Sequence, residues 1–285
     1  MEQKHFKLTD ETISHNGHTL HRIQALVDLP RHKVKKDDLG GFIEKEENLQ
    51  DSAWVFGNAK IYDDAVVEDS AKIFEQAEIF GSALIYGNAR VLDRAVVCDD
   101  ASVSDNVNVY GNVEIRDSAV VYGEAHLSDG AKVYGNAYVS GNAQIYGMAE
   151  VFGDANITDG AVIKENALVY GKAEVRDNAI ISDQAQVYDE AMIYGNAQVD
   201  GTAIVCGQAW VYGEAMVYGL SVVTGSAEIY GKARVYGKAI IGDNAHVYGD
   251  AEVASNTTVE DQAEVYGQAK LVGNETIGGD TEISN

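Results

Sequence analysis

From Val55 to Ile283 every sixth residue is Val, Ile or Leu, thirty-nine times in succession without an insertion or deletion. Two residues before each aliphatic stands a small residue, Ala in thirty-three of the thirty-nine cases. The unit reads Ala-x-(Val/Ile)-Tyr-Gly-Asn, as in Ala143-Gln144-Ile145-Tyr146-Gly147 or Ala245-His246-Val247-Tyr248-Gly249. A fixed short period of this kind predicts a solenoid, in which each repeat is buried by the neighbours stacked on it.

The spacing of two between Ala and the aliphatic is strand periodicity and puts both side chains on one face, the interior. Residues between them (Lys60, Glu78, Gln144, Trp210, His246) vary freely, as positions facing solvent or a partner do. The last two places of the unit hold turn formers. The first is mostly Gly (Gly57, Gly87, Gly135) or Asp (Asp63, Asp117, Asp243), the second often Asn (Asn58, Asn88, Asn196), residues that tolerate turn and left-handed backbone. Each hexad is thus a short strand and a corner.

A run such as Ile241-Gly242-Asp243-Asn244-Ala245 resembles the consensus unit of the hexapeptide-repeat family. That resemblance implies an all-β fold, a single-stranded left-handed parallel β-helix of triangular section with three hexapeptides per coil; handedness and section follow from the family alone. Eighteen residues per coil give about thirteen coils over residues 50–283, roughly 60 Å at the strand spacing of a sheet. The N-terminal segments Gly17-His18-Thr19-Leu20-His21-Arg22-Ile23-Gln24-Ala25-Leu26 and Lys35-Lys36-Asp37-Asp38-Leu39-Gly40-Gly41-Phe42-Ile43-Glu44, followed by Trp54-Val55-Phe56-Gly57-Asn58-Ala59, are similar to the start of YdcK-type proteins, with Leu-Gly-Gly-Phe-Ile-Glu the more specific stretch. Members are described as hexapeptide-repeat acetyltransferases of bacteria and their phages.

Residues 1–42 form the expected cap and connection, and residues 43–285 the helix. Residues 4–14 and 19–27 alternate apolar and polar around His15-Asn16-Gly17-His18, where Asn-Gly predicts a two-residue β-hairpin turn. The chain's one proline, Pro30, and the basic run 31–36 predict an irregular connection, and Ile43 and Leu49 keep the six-residue phase. The hairpin would cover the first open strand edge. In the final hexads Glu275 and Thr281 stand where Ala belongs, which reads either as a guard against edge-to-edge stacking or as fraying.

The net charge is −24, and residues 51–285 carry thirteen Lys or Arg against thirty-six Asp or Glu. Such a surface repels nucleic-acid phosphates and anionic membranes, which argues against both as partners and leaves a protein with a basic surface as a partner. The N-terminus has no secretory apolar region, so a cytoplasmic protein is expected. Cys98 and Cys206 lie six coils apart and are expected to be free thiols.

Sorted by eighteen-residue columns, one side is distinctive: Tyr194, Tyr212, Tyr230, Tyr248 and Tyr266 stack as an external ladder beside Trp210 and Met192. A shorter ladder is Tyr134, Phe152, Tyr170 and Tyr188. Such stacks stabilise a sheet without a ligand. Their extent also fits self-association, for which the family's flat sides imply a homotrimer before a dimer, or a carbohydrate platform.

Acyltransferases of the family resemble one another in using a His base, often helped by a loop that interrupts the coils, and acetyl-CoA bound between subunits. Here the phase admits no such loop and only His126 and His246 lie in the coils, His246 beside the Tyr ladder and the candidate base if catalysis occurs. The two lie too far apart for a three-His zinc site. Corner acids (Asp99 and Asp117, Asp159 and Asp177, Asp243 and Asp261) stack on successive coils at a spacing a divalent cation bridges, although solvated turn aspartates read more simply, and no metal site is expected. The reading is a non-catalytic scaffold that self-associates through its aromatic face, with no cofactor. Its alternatives are a coenzyme A-dependent acyltransferase of unknown acceptor and an acidic mimic of nucleic acid.

Overall fold

The computed structural model describes residues 4–285, which form two compact units, the first ending at Gly141 and the second running from Asn142. Both are built from two-residue strands, each an outward residue followed by the interior aliphatic, such as Lys60–Ile61 or Trp210–Val211. Within each unit the coil strands pair in parallel with strands eighteen residues on: Arg90 with Asn108, Val91 with Val109, and in the second unit Trp210 with Glu228, Val211 with Ile229. Three parallel sheets result in each unit, and no α-helix occurs among the described residues. None of their helices is long and apolar enough to cross a membrane, a statement that leaves β-barrels aside.

The Ala and aliphatic columns point inward and are fully buried from Ala53 to Val265 wherever they hold those residues. Ser221, in an Ala slot, is also buried and donates its hydroxyl to the Tyr218 carbonyl at 3.0 Å, which satisfies a polar group that would otherwise destabilise the core. Backbone ladders fill the remainder: outward residues donate to the following coil, as in Trp210 N to Ala227 O at 2.9 Å.

The corners explain the Gly/Asp choice. Only the first of the two corner places is left-handed, for example Asp177 at φ 60° and Gly195 at φ 73°; the Asn place after it is not. Asn side chains there form rows of their own, as in Asn178 to Asn196 at 3.4 Å. Corner carboxylates accept the backbone N–H of the corner one coil on: Gly195 donates to Asp177 at 2.9 Å, Gly135 to Asp117 at 2.9 Å and Gly279 to Asp261 at 2.7 Å. The acids suggested as cation bridges are therefore occupied with backbone.

At the N-terminus β1 (Phe6–His15) and β2 (His18–Ala25) form the hairpin, with Asn16 and Gly17 both at positive φ. β2 pairs antiparallel with β3 (Leu39–Ile43), and β3 pairs in parallel with Lys60–Ile61, so the hairpin occupies the first sheet edge. The connection contains a short 3₁₀ turn at Pro30–His32. Near the C-terminus Glu275 and Thr281 are exposed, and Ile277 and Ile283 are only partly buried.

Candidate functional site

The cap joint is built from the Leu39-Gly40-Gly41-Phe42-Ile43-Glu44 stretch. A Cβ on Gly40 would stand 2.5 Å from Ile23 Cγ1 and 2.6 Å from the Val55 carbonyl, and one on Gly41 2.5 Å from Val55 Cγ1, so both glycines admit the hairpin and the first coil at van der Waals distance. Arg22 lies over the Phe42 ring at 4.2 Å and donates to the Gly40 carbonyl at 2.9 Å. Leu20, Phe42 and Tyr62 form a buried cluster against Ile13 and Phe80. Phe42, Trp54 and Tyr62 are outward by phase, yet Trp54 is 1% exposed and Tyr62 3%. The prediction that outward places face solvent fails here: the hairpin packs on Phe42 and Tyr62, and the His5 ring stands 6.3 Å from that of Trp54.

The hairpin tip is fastened by charge. His18 Nδ1 bonds Glu44 Oε1 at 2.9 Å, His18 Nε2 faces Asp63 Oδ1 at 3.3 Å, and His15 Nε2 bonds Glu78 Oε2 at 3.0 Å. The Glu44 hydrogen bond holds the His18 pKa above its ordinary value and the same bond holds that of Glu44 below. His18, Glu44 and Asp63 have ligand atoms within 4.8 Å of one another, the spacing of a metal site. Both imidazole nitrogens face carboxylates, an arrangement an imidazolium satisfies by donating twice. The sequence marks Asp63 as a corner and His18 as a flank of the hairpin turn, but does not bring the three together.

In the second unit the long ladder stands as expected: Tyr194, Tyr212, Tyr230, Tyr248 and Tyr266 stack face to face at 4.8, 5.0, 4.8 and 5.1 Å. Arg176 lies over Tyr194 at 4.7 Å at its start. Hydroxyls of Tyr212, Tyr248 and Tyr266 donate to Glu228 at 3.0 Å, Glu264 at 2.8 Å and Glu282 at 3.3 Å. Burial first, then the glutamate, pushes the Tyr248 pKa up to about 12. These glutamates were missed, although each follows its tyrosine by sixteen residues, a spacing visible in the sequence. On another sheet of this unit Phe152, Tyr170 and Tyr188 also stack, at 4.8 Å each, and Tyr218 and Tyr236 stack on the third at 4.9 Å.

Beside the long ladder a groove of about 500 Å3 is lined by Lys172, Glu174, Glu190, Met192, Gln208, Trp210, Ser226 and Glu228. Trp210 is 38% exposed in it, while Met192 is half-buried. Gln208 donates to Glu190 at 3.1 Å, and Lys172 Nζ lies 3.5 Å from the same carboxylate.

His246 is half-buried on this sheet, paired across the backbone with Glu228 and Glu264. Among the described residues no hydrogen bond orients its ring, as a general base requires. His126 is exposed on the first unit with a plain column around it. Cys98 and Cys206 are buried free thiols. Burial, then the charge of Asp99, pushes the Cys98 pKa up to about 12.

No curated protein matches the chain. Residues 185–207, within the ladder-bearing unit, match the family model described as YdcK Beta solenoid repeat. The same hexad runs unbroken from Val55 to Ile283, stacks as parallel sheets in both units and is preceded by the hairpin that the Gly-Gly joint receives. The chain carries a YdcK-type β-solenoid repeat, and repeats of the same hexad build the parallel hexapeptide β-helix of both units.

Proposed function

We propose that this protein is a rigid, non-catalytic scaffold that self-associates through the outer face carrying Tyr194, Trp210, Tyr212, Tyr230, Tyr248 and Tyr266. The observation that supports it most is Trp210, a large side chain 38% exposed next to half-buried Met192 on a face already lined with aromatic rings. The tyrosines are stacked and three of their hydroxyls are paired, so the ladder supplies a stiff, pre-ordered surface that loses little side-chain entropy on association. Trp and Tyr in this setting are the residues that carry most of an interface's energy. A trimer is the expected assembly, ahead of a dimer.

The test is mass in solution by multi-angle light scattering, for the wild type and for the pair Trp210→Glu with Met192→Glu. Both positions are outward and neither belongs to the tyrosine stack, so folding by circular dichroism should be retained. The expected result is an oligomer that falls to monomer mass in the variant, a loss of about 2–4 kcal/mol for a central Trp. Replacing Tyr212 and Tyr230 with Ser should have the same direction with a lower melting temperature as well. An unchanged mass in the Trp210 and Met192 variant removes this face as the interface.

A further inference from the structure

The outer faces repeat one small device. Of the seven arginines, Arg22 lies over Phe42 at 4.2 Å, Arg90 over Phe74 at 5.6 Å, Arg116 over Tyr134 at 4.2 Å and Arg176 over Tyr194 at 4.7 Å. Three of these cations also reach a carboxylate: Arg22 Nε to Glu11 at 2.7 Å, Arg116 Nε to Glu114 at 2.9 Å and Arg176 Nε to Glu174 at 3.6 Å. A guanidinium that stacks on a ring while an acid holds its edge uses both of its binding faces.

Two residues of the second unit have only half of this device. Trp210, the ring type that binds cations best, is 38% exposed in the groove with Glu174, Glu190 and Glu228 around it; Lys172 lines the same groove and is held by Glu190, and among the described residues no cation lies over the indole. Arg234 is exposed on the next sheet, between Met216 and Glu252 in its column; its charge reaches Tyr218, but among the described residues it neither stacks on a ring nor forms an ion pair. Glu228 and Arg234 begin successive strands of one turn. A second copy lying alongside with parallel axis and no shift along it, as in a closed ring, presents its Arg234 level with Glu228, one rung or about 4.8 Å from Trp210, within the length of an arginine side chain.

We propose that Arg234 of a second copy of this chain docks in the Trp210 groove, its guanidinium over the indole and its N–H groups on Glu228. This rests on the reading of the Trp210 face as a self-association surface and names the contact that face makes. The contact joins two different patches, so it is heterologous and ends only by closing a ring. The chain's net charge of −24 opposes association, and a local cation entering a carboxylate-lined groove reduces that repulsion at the point of contact.

The experiment is sedimentation velocity over a concentration series at fixed salt, on the full chain. Arg234→Glu alone and Glu228→Arg alone should each weaken association at least about tenfold, the scale of a close interfacial charge pair. The double variant Arg234→Glu with Glu228→Arg, in which the charges face each other again, should recover most of it. Arg234→Lys should lie between, since an ammonium keeps the charge without the planar stacking surface. A wild-type oligomer whose association is unchanged in Arg234→Glu, or a double variant no better than the worse single one, overturns the docking while the face itself still stands by the Trp210 and Met192 test. A wild type that stays monomeric at every concentration overturns both.

Discussion

Substitution at the left-handed corners separates the two reasons for the Gly/Asp alternation. Asp177 at φ 60° and Gly195 at φ 73° occupy successive corners of one column, and Gly195 donates its N–H to the Asp177 carboxylate at 2.9 Å. Asp177→Ala puts an ordinary L-residue into left-handed backbone, at about 1 kcal/mol beyond what Asp tolerates, and removes a partly buried charge-assisted hydrogen bond contributing about 1 kcal/mol. The expected loss is about 2 kcal/mol. Asp177→Gly loses the same bond but relieves the Cβ strain, so it should lie within about 1 kcal/mol of wild type. Gly195→Ala is worse than either: its Cβ would stand 2.9 Å from Gly213 N and 3.0 Å from Gly213 O, backbone atoms that cannot turn aside. Strain and overpacking together predict a loss of about 2–4 kcal/mol.

The assay is equilibrium urea unfolding followed by far-ultraviolet circular dichroism, with the m-value checked, because a solenoid can lose cooperativity at a weakened rung. The predicted order of stability is wild type, then Asp177→Gly, Asp177→Ala and Gly195→Ala. If Asp177→Ala is as stable as Asp177→Gly, the left-handed corner imposes no penalty on a side chain and the reasoning fails. If Gly195→Ala is no worse than Asp177→Ala, the close approach of successive coils is not what selects glycine.

The hairpin tip should be pH-dependent in both directions. The His18 pKa is raised above its ordinary 6.5, so its contribution is complete below that value and is lost as pH rises through the raised one; the Glu44 pKa is lowered from 4.5, so its contribution is present above that and is lost as pH falls through the lowered one. Amide exchange in β1 and β2, corrected for intrinsic rates, should therefore be slowest between about pH 4.5 and 6.5 and faster at pH 8.5, and His18→Gln should abolish the alkaline change. With its pKa at about 12, the Cys98 thiol should resist iodoacetamide at pH 8 in the folded chain and alkylate after unfolding in urea, read by peptide mapping; equal modification in both states would contradict its burial.

Much of this architecture was written in the residues, and the omissions share a cause. The inward columns, the corner choice and the Asn16-Gly17 turn are local or strictly periodic signals, and each one could be read from neighbours six or eighteen residues away. Trp54 and Tyr62 could not, because their phase says outward and it is the fold of the N-terminal segment, His5 beside Trp54 and the hairpin against Tyr62, that meets them. Gly40 likewise reads as one of many glycines until Ile23 is seen against it. Glu44 and Asp63 stand about one coil apart, but no period relates either of them to His18 in the cap. The Tyr to Glu pairs differ: their spacing of sixteen runs diagonally between columns, so sorting by column alone hides it.

That distinction bears on where function lies. A residue repeated down a column, such as the five stacked tyrosines, is accounted for by the copies above and below it: ring meets ring at 4.8 to 5.1 Å, and the edge of the stack is held by arginine and glutamate. Such a column stiffens the sheet whether or not anything binds. A residue that stands alone in its column has no equivalent explanation. Trp210, between Met192 and Glu228, and Arg234, between Met216 and Glu252, are of that second kind, and each is exposed where its neighbours supply only half of what it can bind. In a fold whose interior is filled by Ala and Val at every turn, selection for activity can act only on outward places. The ones left unsatisfied by the repeat are those on which a partner gains most.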